Sequence, residues 1–131
     1  MAFQYVLGAD EFRSEAYRLH RVDTDETKEA SKKQWKEGRM AFFLSKFESF
    51  LEKNNTNKSG DLFLVGSSLT WADICFYDAL FEQSFLLTAG ELAEKYPLLA
   101  KHKQQIENLS NLKDYIVSPN RPPAYLPKWR N

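Results

Sequence analysis

The stretch Ser68 to Leu80, SLTWADICFYDAL, constrains this chain more than any other. It carries the start signal of a helix. Thr70 is a good N-cap, and Asp73 stands three residues on, where a carboxylate reaches back to the cap's backbone N–H as in a capping box. Asp73 also falls in the first turn, where the helix dipole favours a negative charge. Leu69 before the cap and Ile74 after it have the spacing of a hydrophobic staple. The residues that follow, Ile74 to Phe81 and then Phe85 and Leu86, are apolar on nearly every face, interrupted by Asp78, Glu82, Gln83 and Ser84. A helix of that kind belongs inside a bundle, with other helices packed around it.

The rest of the chain can supply such a bundle. Its 131 residues suit one domain, and 43% of them are hydrophobic, enough to bury a core. Eighteen basic residues balance eighteen acidic ones, without a long block of either sign. Nucleic acid and anionic membrane are therefore not expected as partners, since both call for a basic patch. Cys75 is the single cysteine and lies on the greasy helix, which suits a reducing compartment; the cytoplasm is the expected location. His20 and His102 have no Cys, Asp or Glu at ligand spacing, so no metal site is expected.

Ahead of the central stretch, Tyr5, Phe12, Ala16 and Leu19 recur at helical spacing and predict a helix over 4–21, with Gly8 a possible bend. Val22 to Asp25 breaks it. From Glu26 to Asn54, the stripe Trp35, Arg39, Phe42, Phe43, Phe47, Phe50, Leu51 predicts a long helix, solvated in its first half and core in its second. Gly38 within it marks a bend or a close contact. A polar loop over 54–61 leads to the short extended run Leu62-Phe63-Leu64-Val65, stopped by Gly66. The central helix is predicted to end near Thr88 to Gly90, followed by a turn over 91–96. Pro97 then starts a helix whose apolar face is Leu98, Leu99, His102, Ile106 and Leu109. A last short helix carries Leu112, Tyr115 and Ile116, and the prolines from Pro119 onward end regular structure. The expected fold is all-α, a helical bundle of about five helices over 1–118 with an extended Pro-rich tail over 119–131.

The run Asp61-Leu62-Phe63-Leu64-Val65-Gly66-Ser67-Ser68-Leu69-Thr70-Trp71-Ala72-Asp73 resembles the signature of the cytosolic glutathione transferase C-terminal domain, an F-x-V-G run followed by a Ser/Thr-x-x-Asp box. Glu94-Lys95-Tyr96-Pro97-Leu98-Leu99 is similar to that family's K-Y-P-x-L entry to the next helix. Asn108 to Tyr115 is similar to its L-P-x-x-K-x-Y exit, and the tail is most similar to the alpha, mu and sigma group. The resemblance implies a domain that lines the acceptor pocket when glutathione is conjugated to hydrophobic electrophiles. Glutathione and the hydroxyl that activates its thiol belong, in that family, to a thioredoxin-like domain placed ahead of this one. These residues hold no counterpart of it, so the resemblance implies no catalytic residue here, no cofactor, and glutathione as co-substrate only through an upstream domain.

By the same resemblance, the first helix and the tail supply the pocket, which makes Tyr5, Tyr17, Tyr125, Leu126 and Trp129 the candidate substrate-binding residues. The alternative role for the two tyrosines is to cover core. Thr70 and Asp73 are read as a structural capping box, not a catalytic pair, and Cys75 as an inert buried thiol. Two functions stay open: the helical half of a transferase, inactive alone, or a stand-alone module binding a partner protein or a small hydrophobic molecule. Either leaves apolar surface to cover, so a homodimer is expected.

Overall fold

The computed structural model describes residues 2–54, 61–66 and 68–109. Within them lie six α-helices and no strand: α1 Ala2–Val22, α2 Lys28–Trp35, α3 Ala41–Asn54, α4 Trp71–Glu82, α5 Ala89–Lys95 and α6 Pro97–Glu107. A π-helical turn, Lys36–Met40, joins α2 to α3. The long helix expected over 26–54 is thus one rod with a widened turn at Gly38, where a glycine costs helix propensity and the i→i+4 ladder gives way. A Cβ on Gly38 would meet nothing within 4 Å, so the glycine marks the widened turn, not a close contact. The last short helix and the tail expected beyond Ser110 lie outside the described residues.

α4 sits at the centre, as its composition requires. Ala72, Phe76, Ala79 and Leu80 are buried on it, and Phe76 stacks on Phe47 of α3 with ring centroids 4.1 Å apart and on Phe12 of α1 at 6.2 Å. Phe12 also meets Trp35 and Phe43, so one aromatic column ties α1, α2, α3 and α4 together. Aromatic pairs of this kind add about 0.5–1.5 kcal/mol each beyond the area they bury.

Several local expectations change. α1 runs through Gly8 without a break, and Leu19, expected on its inner face, is exposed. Phe42 is also exposed; the buried stripe of α3 is Phe43, Leu44, Phe47 and Leu51. The central helix stops at Glu82, six residues early, and a 3-10 turn Ser84–Leu86 follows. Thr88 does not end a helix but starts one: it accepts from the Glu91 N–H at 3.1 Å, and Glu91 reaches back to its backbone, a complete capping box for α5. Leu69, the expected staple residue, is exposed.

Candidate functional site

The start of α4 holds a buried polar knot. Asp73 Oδ2 accepts the Thr70 backbone N–H at 3.0 Å, the expected carboxylate half of the capping box. The Thr70 hydroxyl also donates to that same carboxylate oxygen at 3.4 Å, a bond separate from the hydroxyl half of the box, in which the Thr70 side chain faces the Asp73 N–H. Asp73 Oδ1 takes two further bonds that the sequence reading did not include: the Leu64 N–H at 2.9 Å and His102 Nε2 at 2.8 Å. A carboxylate only accepts, so His102 carries its proton on Nε2. Burial pushes the Asp73 acid upward, but the bonds from His102, Thr70 and Leu64 and the nearby imidazole outweigh it and hold the carboxyl below its ordinary value. The pair is sealed, with side-chain exposures of 0% and 2%, so no substrate reaches it; it fastens α4, α6 and the 62–66 segment.

Three more polar residues complete that fastening. Gln105 of α6 clips the extended run at both backbone groups of one residue, accepting the Leu62 N–H at 2.6 Å and donating to the Leu62 carbonyl at 2.8 Å. Glu48 of α3 accepts the Leu98 and Leu99 N–H groups at 3.0 and 2.8 Å, satisfying the orphan donors of the α6 N-terminus. Gln83, at the C-cap of α4, accepts the indole N–H of Trp35 at 2.7 Å within the core. His102 and Gln83 were legible as polar residues on apolar faces, positions that demand a partner. Glu48 and Gln105 gave no such signal.

A charged seam runs between α1 and α4. Arg13 donates to Asp78 at 2.6 Å, and its Nε stands 3.3 Å from Glu82 Oε2, an ion-pair contact without hydrogen-bond alignment. Burial pushes the Glu82 acid up; Arg13 opposes this, and the Asp78 charge adds to it.

Of the candidate substrate-binding residues, Tyr5 and Tyr17 are described. Both are half-buried on α1. Twelve positions of helix put them about 18 Å apart along the axis, so they do not share one small-molecule pocket. Tyr5 packs on Phe50 with centroids 4.7 Å apart and lines a groove of about 540 Å3 between α1 and α3, together with Leu7, Gly8, Phe42 and Phe47. Tyr17 lies at the other end, 6.0 Å from the His20 ring. Tyr125, Leu126 and Trp129 lie outside the described residues. Among the described residues, no three His, Cys, Asp or Glu side chains cluster as metal ligands, and no helix is long and apolar enough to cross a membrane.

An all-helical bundle around a buried, box-capped central helix, entered through a short clipped segment, is the architecture that the sequence resemblance implies. Residues 10–119 match the family model described as glutathione S-transferase, C-terminal domain, and the chain belongs to that family. It is similar to a glutathione S-transferase of Plasmodium falciparum (isolate 3D7), 37% identical over 73 residues, which is 55% of this chain and 34% of that protein. It is likewise similar to a glutathione S-transferase of Plasmodium yoelii yoelii, 35% identical over 75 residues, 55% of this chain and 31% of that protein. The chain therefore spans about a third of the length of the curated relatives it matches.

Proposed function

We propose that this chain acts as the acceptor-binding half of a glutathione transferase, supplying apolar walls for a hydrophobic electrophile while another domain binds glutathione. The observation that carries this reading is the match of residues 10–119 to the C-terminal domain of that family. Tyr17 on α1, with Tyr125, Leu126 and Trp129 of the tail, is proposed to line the acceptor pocket. Tyr5, far along the same helix, is proposed to face a neighbouring domain or chain.

Conjugation needs a thiolate, and glutathione's thiol is mostly protonated at neutral pH unless a positioned donor stabilises the anion. No residue of the described site is so placed: the sealed Asp73–His102 pair is out of reach. The chain alone is thus proposed to be inactive, because binding one reactant adds proximity only when the second is also bound. The test is the rate of glutathione conjugation to 1-chloro-2,4-dinitrobenzene. The purified chain should match buffer, and fusion to a glutathione-binding thioredoxin-like domain should give a glutathione-saturable rate. Saturable activity of the chain by itself would overturn the reading.

A second reading is favoured by the groove between α1 and α3, where Leu7 and Phe42 are 53% and 47% exposed. Apolar surface of this kind is commonly covered by a partner. We propose a homodimer through this face, in the cytoplasm, where Cys75 stays reduced. Sedimentation of wild type and Phe42→Glu tests it: a dimer turned monomeric by the substitution supports the face, and an unchanged distribution refutes it.

A further inference from the structure

We propose that the concavity between α1 and α2 is a binding site for a small organic carboxylate, read by Arg18 and Arg39. It encloses about 370 Å3 and is lined by Glu15, Arg18, Leu19, Ser31, Gln34, Trp35 and Arg39. That size falls within the range of small-ligand pockets, at its small end.

The residues converge because of helical spacing. Glu15, Arg18 and Leu19 stand at i, i+3 and i+4 on α1, which places them on one face; Ser31, Gln34 and Trp35 repeat the same spacing on α2. The two faces oppose each other, and the π-helical turn after Trp35 carries Arg39 into the same lining. Widened turns of this type recur at functional sites.

Arg39 is held ready. Its Nε and one terminal nitrogen lie 3.3 and 3.1 Å from the two oxygens of Glu15, and its guanidinium carbon sits over the Phe42 and Phe43 rings at 4.7 and 5.0 Å. The remaining terminal nitrogen, Nη1, has no partner among the described residues. A guanidinium fixed in this way loses little freedom when it binds an anion. Arg18 has no carboxylate partner among the described residues, and no bond there engages the Ser31 hydroxyl or the Gln34 amide.

The lining therefore has two cations against the single carboxylate of Glu15, which is already spent on Arg39. That balance disfavours a cation and leaves an oxyanion as the complementary charge. Guanidinium forks match carboxylate geometry, and the hydroxyl and amide add neutral donors. Leu19, 46% exposed at the rim, offers apolar surface to the ligand's body, and the buried Trp35 backs the wall behind it. A compact aromatic or branched aliphatic carboxylate fits both demands. The larger concavity between α2, α3 and α5 is different: its lysines alternate with Glu29, Glu37 and Glu91, and two of its ion pairs are closed.

The experiment is an NMR titration of the full chain at low salt with benzoate, its neutral isostere benzamide, and inorganic phosphate. Benzoate should give saturable amide shifts confined to residues 15–19 and 31–39, and benzamide none at the same concentrations. Arg18 is exposed and has no carboxylate partner among the described residues, so Arg18→Gln should leave the fold intact. It should weaken benzoate about tenfold, the loss of one charge-assisted bond, whereas Lys101→Gln should change nothing. Absence of saturable shifts, equal binding of benzamide, or undiminished affinity in Arg18→Gln each overturns the site. Phosphate binding as tightly as benzoate overturns the role given to Leu19.

Discussion

Asp73 and His102, twenty-nine residues apart in sequence, share a 2.8 Å hydrogen bond in a place where neither reaches solvent. The carboxylate that caps α4 thereby also anchors α6, and through the Leu64 N–H it fixes the segment that leads into α4. Removing it leaves four donors without their acceptor: the Leu64 and Thr70 N–H groups, the Thr70 hydroxyl and His102 Nε2. Asp73→Ala should cost about 3 kcal/mol or more, because His102 and the Leu64 N–H lose a buried carboxylate acceptor and the cap is lost besides. Asp78→Ala loses only a bond to Arg13 in which both side chains are more than a third exposed, so about 1 kcal/mol or less is expected. Comparable urea midpoints for the two variants would remove Asp73 from its central place.

The pH dependence carries opposite signs at two acids. Asp73 has a lowered folded pKa, so its contribution is complete above about pH 4, the unfolded value, and is lost as pH falls through the folded value beneath it. Glu82 has a raised folded pKa. The folded state binds its proton more tightly, so its contribution is present at acid pH and is lost as pH rises through the raised value. Relative to Glu82→Gln, wild type should therefore gain stability as pH is lowered from about 7 to about 4. Urea midpoints of both proteins across that range check it; a constant difference would show that Glu82 is not perturbed.

How much of this was legible follows from the kind of signal each residue gives. The Thr70–Asp73 start and the Pro97 start of α6 are local patterns, and each appears where its spacing predicts, whereas the stripe of α3 is legible at Phe43, Phe47 and Leu51 but not at Phe42, which faces outward. The end of α4 was missed because Phe85 and Leu86 continue its apolar run; Gln83 ends it by turning inward to Trp35, a contact between residues forty-eight apart. Thr88-Ala89-Gly90-Glu91 is itself a box pattern, masked by the apolar run that leads up to it. Glu48 and Gln105 resemble surface residues until the chain is folded, since their partners are backbone groups supplied by other elements. The candidate pocket residues came from family resemblance, although the helix that periodicity predicts over 4–21 already sets Tyr5 and Tyr17 near its opposite ends.

The Trp35–Gln83 bond ties the end of α2 to the end of α4 inside the core. Trp35→Phe leaves the Gln83 carbonyl oxygen without its donor, and Gln83→Met leaves the indole N–H without an acceptor. Each should cost about 1–3 kcal/mol. The double variant removes both orphans and should be less destabilised than the sum of the singles. A double-mutant cycle by thermal or urea unfolding measures that coupling; strict additivity would show that the bond contributes nothing of its own.

Two glycines should respond to alanine with opposite signs. Gly66 has φ +66°, the left-handed region, where a Cβ is strained whatever the space around it. Its carbonyl also accepts from the Asn54 amide at 2.9 Å, which pins the turn that delivers the chain to α4. Gly66→Ala should therefore destabilise by about 1–2 kcal/mol. Gly38 is helical and exposed, and an added Cβ meets nothing within 4 Å. Gly38→Ala should stabilise by about 0.5–1 kcal/mol, the helix-propensity difference together with the reduced freedom of the unfolded chain. Paired urea titrations test both. A loss at Gly38 would mean that the widened turn needs the glycine, since regularising the helix would then shift Arg39 and Met40 out of register with α1 and α4.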